Sequence, residues 1–597
     1  MMNIRRPLRP LARILKARMR GVDPALVEAE ERAARLKNQR IRERKQAESR
    51  LVLMAATFFL AFAVVGGKMA VLAAYDPIEP ELTINSSPIV NQRADIVDRN
   101  GTILATNLVT ASLSAHPQDM VDPVGAAIGL SEIFPELDVD QLVRQFTGER
   151  KFVWVKRKLS PEQRQLVHDL GEPGLIIGPR ELRLYPNGPF ASHILGGTSF
   201  GREGVYAAEV IGVAGVELQF DDYLRDPSLE GAPLQLSIDL TVQAAIRRVL
   251  EGGMRLMNAK AASAVLMEAD TGRIIAMVSL PDFDPNHRPN PAITGDPAES
   301  PLFNRAAQGK YELGSVFKIF TAALAMEQGV ATPDSMVDTS GPLVWNRFRI
   351  RDFRNYGPQL SLRDVIVKSS NVGSARLAVA AGSDAQQELL GALGFLGALP
   401  LELPESRRSN PLVPQRWSEI STMTISYGHG LAVTPVHLAA GYATMVNGGL
   451  RVYPTLMNDV TVPTEADRVI SQETSDNIRD MMRQVVVRGT ASLGEVAGYQ
   501  VGGKTGTADK PDPQGGYYED RVIATFATAF PMSDPKYVLI VTLDEPEETS
   551  GYEPRRTAGW TAVPVAAEII RRIAPLMGLR PSAVGETPDE TMRLTSN

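Results

Sequence analysis

Residues Leu51 to Tyr75 form an apolar run with no acidic side chain and a single basic one, Lys68, near its far end. The run exceeds the roughly 20 residues an α-helix needs to cross a bilayer, where the backbone must satisfy its own N–H and C=O groups. It therefore predicts one transmembrane helix over 51–75, with Lys68 able to extend its amine to the headgroups. Residues 1–50 carry 15 Lys/Arg against 6 Asp/Glu, whereas residues 51–597 carry 48 against 63, within a formal net charge of −6. The basic excess precedes the run, so the tail is expected in the cytoplasm and everything after Tyr75 outside the membrane. A 50-residue leader is far longer than a cleaved signal segment carries. The run reads as a permanent anchor.

The part beyond Tyr75 is large enough for two domains, and 44% apolar composition supplies their cores. Residues 76–234 show short extended runs broken by Gly, Pro and Asn, such as Ile96-Val97-Asp98-Arg99-Asn100-Gly101-Thr102-Ile103-Leu104. They read as a strand-rich, elongated pedestal. Residues 235–580 read differently. A helix is expected from Val242 to Met257, then two apolar strands, Ala262–Met267 and Ile274–Val278, joined by the turn Asp270-Thr271-Gly272-Arg273. Further strands are expected at Val522–Phe530 and Tyr537–Leu543, after a long and mostly helical insertion. The layering is α+β: an antiparallel sheet with helices on both faces and an inserted helical lobe. Residues 581–597 read as a disordered tail.

Three short patterns carry the chemistry. The first is Ser315-Val316-Phe317-Lys318, at the start of a segment to Gln328 that is apolar on nearly every face and stops at Gly329, as a buried helix does. Ser315 at a helix start would face free N–H groups that favour developing negative charge. Lys318, three residues on, lies over the same face, and burial lowers its pKa in the direction a base needs. The second is Ser369-Ser370-Asn371, placed after a short helix opened by Ser361-Leu362-Arg363-Asp364. A break in helix there would aim Ser369 and Asn371 into a cleft, to relay a proton and to hold an amide. The third is Lys504-Thr505-Gly506 with Thr507, short, extended and glycine-rich, so that a substrate backbone can lie along it. Lys504 adds positive potential, Thr505 and Thr507 can bind a carboxylate, and the N–H groups of Ser315 and Thr507 could form an oxyanion hole. Each pattern alone is weak, and an N-cap serine with a snorkelling lysine is the better explanation of an isolated S-x-x-K. Their order and spacing together give the pattern its weight.

Other signals point elsewhere and are set aside. Gly498 to Thr505 also fits a phosphate-loop pattern, but Gly506, Pro511 and Pro513 forbid the long helix that must follow its lysine. Gly197-Thr198-Ser199-Phe200-Gly201 fits a nucleophile elbow yet lacks a strand-to-helix setting, and reads as a hinge. The absence of cysteine excludes a disulfide framework, thiol catalysis and thiolate metal sites. The six histidines show no metal-ligand spacing. No cofactor, no metal and no nucleic-acid partner are expected.

Taken together these residues resemble the class B penicillin-binding proteins, along essentially the whole chain after Leu51. Arg93 to Gly101 and Ala214-Gly215-Val216-Glu217 look like the family's pedestal signatures. Tyr311-Glu312-Leu313-Gly314-Ser315 looks like its approach to the nucleophile, and Tyr427-Gly428-His429-Gly430-Leu431 like its turn under the active site. Ala94, Val216 and Leu313 depart from the family's usual residues without touching a catalytic group. The resemblance implies a peptidoglycan D,D-transpeptidase in which Ser315 is acylated by a stem peptide ending in D-Ala-D-Ala. Lys318 activates it, Ser369 and Asn371 complete the relay, and Lys504, Thr505, Gly506 and Thr507 hold the terminal carboxylate; β-lactams inhibit. The basic tail, Gly502 to Ala508 and Ala558 to Pro564 look most like the septal, division-specific member, which implies a SEDS-type lipid II polymerase and other division proteins as partners. The implied location is the inner membrane, with the catalytic domain in the periplasm. The elongation-specific relative and a membrane-anchored β-lactam sensor or β-lactamase are the alternatives.

Overall fold

The computed structural model describes residues 93–582 except 204–207, 292, 347 and 513–514, together with 53–68 and some residues of 13–37. Residues 51–52 and 69–75 of the expected anchor and 583–597 of the expected tail lie outside the described residues. Residues 1–89 and 90–597 are separate units. In the first, residues 53–68 are helical and exposed throughout, Phe58, Phe59, Leu60 and Phe62 included. Thr57 donates its hydroxyl to the Leu53 carbonyl at 2.9 Å, so this polar group is satisfied within the helix. No helix among the described residues is long and apolar enough to cross a membrane.

In the second unit, the 76–234 stretch is less purely extended than its composition suggests. A long strand, Ile103–Ala115, pairs antiparallel with Val153–Leu159 and Leu175–Leu184, but three helices, Pro123–Ile133, Val139–Phe146 and Pro161–Asp169, pack beside them. Asp122, Asp138 and Ser160 cap these helices, two of which open on proline. The segment read as a hinge is neither hinge nor elbow. Gly197–Glu203 is a strand paired with Ala208–Ala214, because the extended backbone finds a partner strand directly after it.

Buried charges join this region together. Glu217, fully buried, accepts from Arg93 Nε at 2.7 Å and from Arg183 Nε at 2.7 Å. Arg93 also reaches Asp221 at 2.7 Å, and Arg183 donates to the Ala94 carbonyl at 2.9 Å. A carboxylate at this depth persists because two guanidinium groups share it. Asp98 extends the linkage: one oxygen caps the turn at Asn100 and Thr102 at 2.8 Å each, and the other accepts from Leu240 N at 3.1 Å, where the next helix begins.

That helix, Leu240–Leu256, starts the sheet domain. Five strands form one antiparallel sheet: β1 (Ala261–Glu268), β2 (Ile274–Leu280), β3 (Gly502–Pro511), β4 (Tyr517–Phe530) and β5 (Tyr537–Asp544). Their order is β3-β4-β5-β1-β2, with β3 at an edge. Every residue of β2 is buried, so both faces are covered, which is why the strands read as near-continuous apolar runs. Helices Leu240–Leu256 and Ala562–Leu576 pack together against the sheet, close enough that a Cβ on Gly253 would fall 2.7 Å from Val565. Pro435–Val446, buried along its length, packs against β1, β4 and β5. Between β2 and β3 lies the helical lobe, whose central helix Lys318–Glu327 is covered by Asn371–Ala381 and Gln472–Arg488.

Candidate active site

Gly314–Phe317 form a single 3-10 turn, and the α-helix begins only at Lys318. Ser315 therefore sits in the turn ahead of the helix rather than at its first α-helical turn. The cause is close packing on two sides. Gly314 adopts φ +61°, and a Cβ there would stand 2.7 Å from the Thr507 carbonyl oxygen on β3. Its N–H donates to the Gly428 carbonyl at 3.2 Å. The fully buried Tyr442 hydroxyl donates to the Val316 carbonyl at 2.8 Å, holding the turn from beneath.

Lys318 is fully buried, and its Nζ lies 2.9 Å from Ser315 Oγ, 3.0 Å from Ser369 Oγ, 2.7 Å from the Ser369 carbonyl oxygen and 2.7 Å from Asn371 Oδ1. The carbonyl and amide oxygens can only accept, so they take the two N–H groups of a neutral amine and leave its one lone pair to accept from one of the two hydroxyls. Burial holds this amine well below the usual lysine range; the nearby Lys504 acts in the same direction, and the Asp352 carboxylate opposes both.

Ser369 reaches the cluster because the chain turns abruptly. Helix Leu362–Lys368 ends, Ser369 takes the left-handed conformation at φ +64° and ψ +46°, and Ser370 caps the next helix through its Oγ and Gly373 N at 3.0 Å. The expected frayed loop is thus a one-residue reversal between two well-formed helices. A left-handed non-glycine residue costs about 1–2 kcal/mol, so the surrounding bonds must hold it there. Asp352 contributes these. Its Oδ1 accepts from Asn371 N at 2.5 Å and Val372 N at 3.0 Å, and its Oδ2 from Ser370 Oγ at 2.7 Å. The Asn371 amide also donates to the Arg351 carbonyl at 2.9 Å, which orients Oδ1 toward Lys318.

Lys504 enters from β3. Fully buried, it donates to Ser369 Oγ at 3.0 Å and to the Thr505 carbonyl at 3.1 Å, and burial lowers its pKa to about 7. No helix follows it, since 502–511 is a strand throughout. Gly506 lets β3 lie directly on the serine turn, where a Cβ would meet the Leu313 carbonyl at 2.1 Å. Thr505 Oγ1 is 2.6 Å from Thr490 Oγ1, and Thr507 Oγ1 accepts from Ala558 N at 3.0 Å. Both hydroxyls are held in place and keep capacity for a ligand oxygen. The structure brings together Ser315, Lys318, Ser369, Asn371 and Lys504 in one network, with Thr505, Gly506 and Thr507 along the adjoining strand. Sequence reasoning missed Asp352 and Thr490.

Comparison with known proteins identifies the family. A family model described as the penicillin binding protein transpeptidase domain matches residues 262–571, and one described as the penicillin-binding protein dimerisation domain matches 88–227. The probable peptidoglycan D,D-transpeptidase FtsI of Caulobacter vibrioides is 34% identical over 499 residues, 82% of each chain. Peptidoglycan D,D-transpeptidase FtsI of Escherichia coli is 29% identical over 566 residues, 90% of this chain and 93% of the relative. The probable peptidoglycan D,D-transpeptidase PenA of Neisseria gonorrhoeae is 28% identical over 555 residues, 89% and 93%. With both domain matches and a relative of this similarity over most of its length, the chain belongs to the class B penicillin-binding proteins.

Proposed function

We propose that this protein is a peptidoglycan D,D-transpeptidase that cross-links stem peptides at the division septum through an acyl-enzyme on Ser315. The observation that carries the reading is the buried Lys318 amine between Ser315 Oγ and the Ser369–Asn371 pair. Its lone pair takes the Ser315 proton as the oxygen attacks the carbonyl between the two terminal D-Ala residues. Ser369, shared by Lys318 and Lys504, passes a proton to the departing amine. Lys504, Thr505 and Thr507 hold the terminal carboxylate, Gly506 gives the strand its close seat, and the Ser315 and Thr507 N–H groups stabilise the oxyanion. A second stem peptide's amine then takes the acyl group. The septal role rests on similarity to relatives named FtsI, and extends to a SEDS-type lipid II polymerase and other division proteins as partners.

Residues 51–75 anchor the chain in the inner membrane, with the basic tail inside and residues 76–597 in the periplasm. The exposed apolar helix at 53–68 supports this, because such a surface is unfavourable in water. The division into a pedestal to about residue 234 and a transpeptidase domain to about 580 follows the change of architecture at Leu240–Leu256. A fluorescent penicillin should form a stable ester on Ser315, located by mass spectrometry of a digest, and Lys318→Ala should abolish it. Label on Ser369, or acylation of Lys318→Ala at the parent rate near neutral pH, would reject the assignment. Depletion should give filaments with undivided septa; round, swollen cells would reject the septal role and leave the chemistry intact.

A further inference from the structure

Beside the serine turn stands a second titratable cluster that the acylation step does not use. Tyr427–Gly430 packs directly on the turn, since a Cβ on Gly428 would lie 1.9 Å from the Gly314 carbonyl oxygen. Glu312, three residues before Ser315, accepts from Gly430 N at 2.8 Å and from the Tyr517 hydroxyl at 2.9 Å, tying this loop to the start of β4. The His429 ring sits between two phenols, its centroid 5.4 Å from that of Tyr427 and 6.1 Å from that of Tyr517. Its Nδ1 is buried against the Tyr427 backbone, which leaves Nε2 as the ring nitrogen able to meet a ligand.

The transfer to a second stem peptide poses a problem that this cluster fits. A lysine-type amine with a pKa of about 10.4 is a free base in only about one molecule in 2,500 at pH 7. The acceptor therefore arrives as an ammonium, and a proton must leave it for the C–N bond to form. We infer that His429 is the catalytic residue that receives this proton, on the ring nitrogen that is not buried, with the Glu312 and Asp509 carboxylates drawing the ammonium to the ring. This rests on the proposed transpeptidase reading. One acceptor proton passes to the imidazole and on to solvent, and the freed lone pair bonds the acyl carbon. A second passes through Lys318 to Ser315 Oγ as the ester C–O bond breaks, and the third stays on the new amide. Burial keeps His429 below its ordinary pKa and so neutral at pH 7; Glu312 and Asp509 raise its affinity for a proton, while Lys318 lowers it. Tyr427 and Tyr517, both pushed above the usual phenol range by burial, remain neutral around it.

The test uses the full chain in detergent with an N-acyl-D-alanyl thioester as donor and Nα-acetyl-lysine as acceptor, scoring aminolysis against hydrolysis from pH 6 to 10. His429→Gln and His429→Ala should lower the aminolysis-to-hydrolysis ratio at least tenfold at pH 7. The deficit should shrink toward pH 10, where free amine is abundant, and added imidazole should restore His429→Ala. A ratio within twofold of the parent at pH 7, or a deficit independent of pH and of imidazole, overturns the inference. Penicillin acylation of the variants falling in parallel with aminolysis also overturns it, because the ring would then serve the serine turn. Failure of the parent to label at Ser315 would instead reject the underlying reading.

Discussion

Removing the Asp352 carboxylate separates its two effects on the site. Asp352→Ala deletes three bonds, to Asn371 N, Val372 N and Ser370 Oγ. Bonds to a charged acceptor contribute about 1.5–3 kcal/mol each, but Asp352 is only half-buried and water replaces part of them. An N-cap loss of about 2 kcal/mol is the resulting expectation for stability. The kinetic effect should be larger, because the left-handed Ser369 and Asn371 Oδ1 would no longer be held against Lys318. A shift of about 1 Å in such groups costs on the order of 100-fold. Asp352→Asn keeps an oxygen for the two backbone N–H groups and loses the charge together with the acceptor for the Ser370 hydroxyl. The Asp352 carboxylate raises the proton affinity of Lys318. Its loss lowers the Lys318 pKa further, so the rising limb of the acylation rate should move to lower pH. Stopped-flow acylation by a fluorescent penicillin between pH 5 and 9 measures both. A rate for Asp352→Ala within twofold of the parent, or a limb in Asp352→Asn that moves to higher pH, would refute the reasoning.

Three further outcomes are expected. Gly506→Ala places a methyl 2.1 Å from the Leu313 carbonyl, so β3 and the serine turn must separate; acylation should fall at least about tenfold and stability by about 1–3 kcal/mol in thermal unfolding. Glu217→Gln leaves Arg93 and Arg183 buried without their shared anion, which should destabilise the region by about 3 kcal/mol or more in urea titrations. Lys504 has a pKa of about 7, so a carboxylate-bearing penicillin binding to Ser315→Ala protein should take up close to one proton at pH 8 and almost none at pH 5.5. Calorimetry in buffers of different ionisation enthalpy reads the uptake, and pH-independent binding would show that Lys504 does not face the carboxylate.

The candidate cluster was legible because each motif packs its groups into a few residues: three positions separate Ser315 from Lys318, and two separate Ser369 from Asn371. The strands of the sheet were legible through their apolar runs. What escaped depends on contacts between distant segments. Asp352 lies 18 to 20 residues before the groups it holds, in a polar stretch, Arg351-Asp352-Phe353-Arg354-Asn355, that reads as loop. Glu217 could be placed in a signature but not between Arg93 and Arg183, since that pairing exists only once three segments fold together. The helices after Asp122, Asp138 and Ser160 were readable from cap and proline signals but were outweighed by the surrounding Gly, Pro and Asn. Ser315 was expected on the α-helix because nothing local reports that Gly314 is pressed between β3 and the Gly428 loop.

The two buried lysines share one hydroxyl, so their charge states are coupled. Lys318 and Lys504 both contact Ser369 Oγ at 3.0 Å, inside a region where neither side chain meets solvent. Two ammonium groups so close in a medium of low dielectric are strongly unfavourable, so at most one carries charge. Burial lowers both, but Lys318 further, because it also bears the influence of Lys504. Lys504 near pH 7 is divided between its two forms, and when neutral it neither holds a carboxylate nor suppresses protonation of Lys318. A substrate carboxylate at Thr505 and Thr507 supplies the missing anion and favours the charged form of Lys504. That charge in turn favours neutral Lys318, so binding at one end of the site prepares the base at the other.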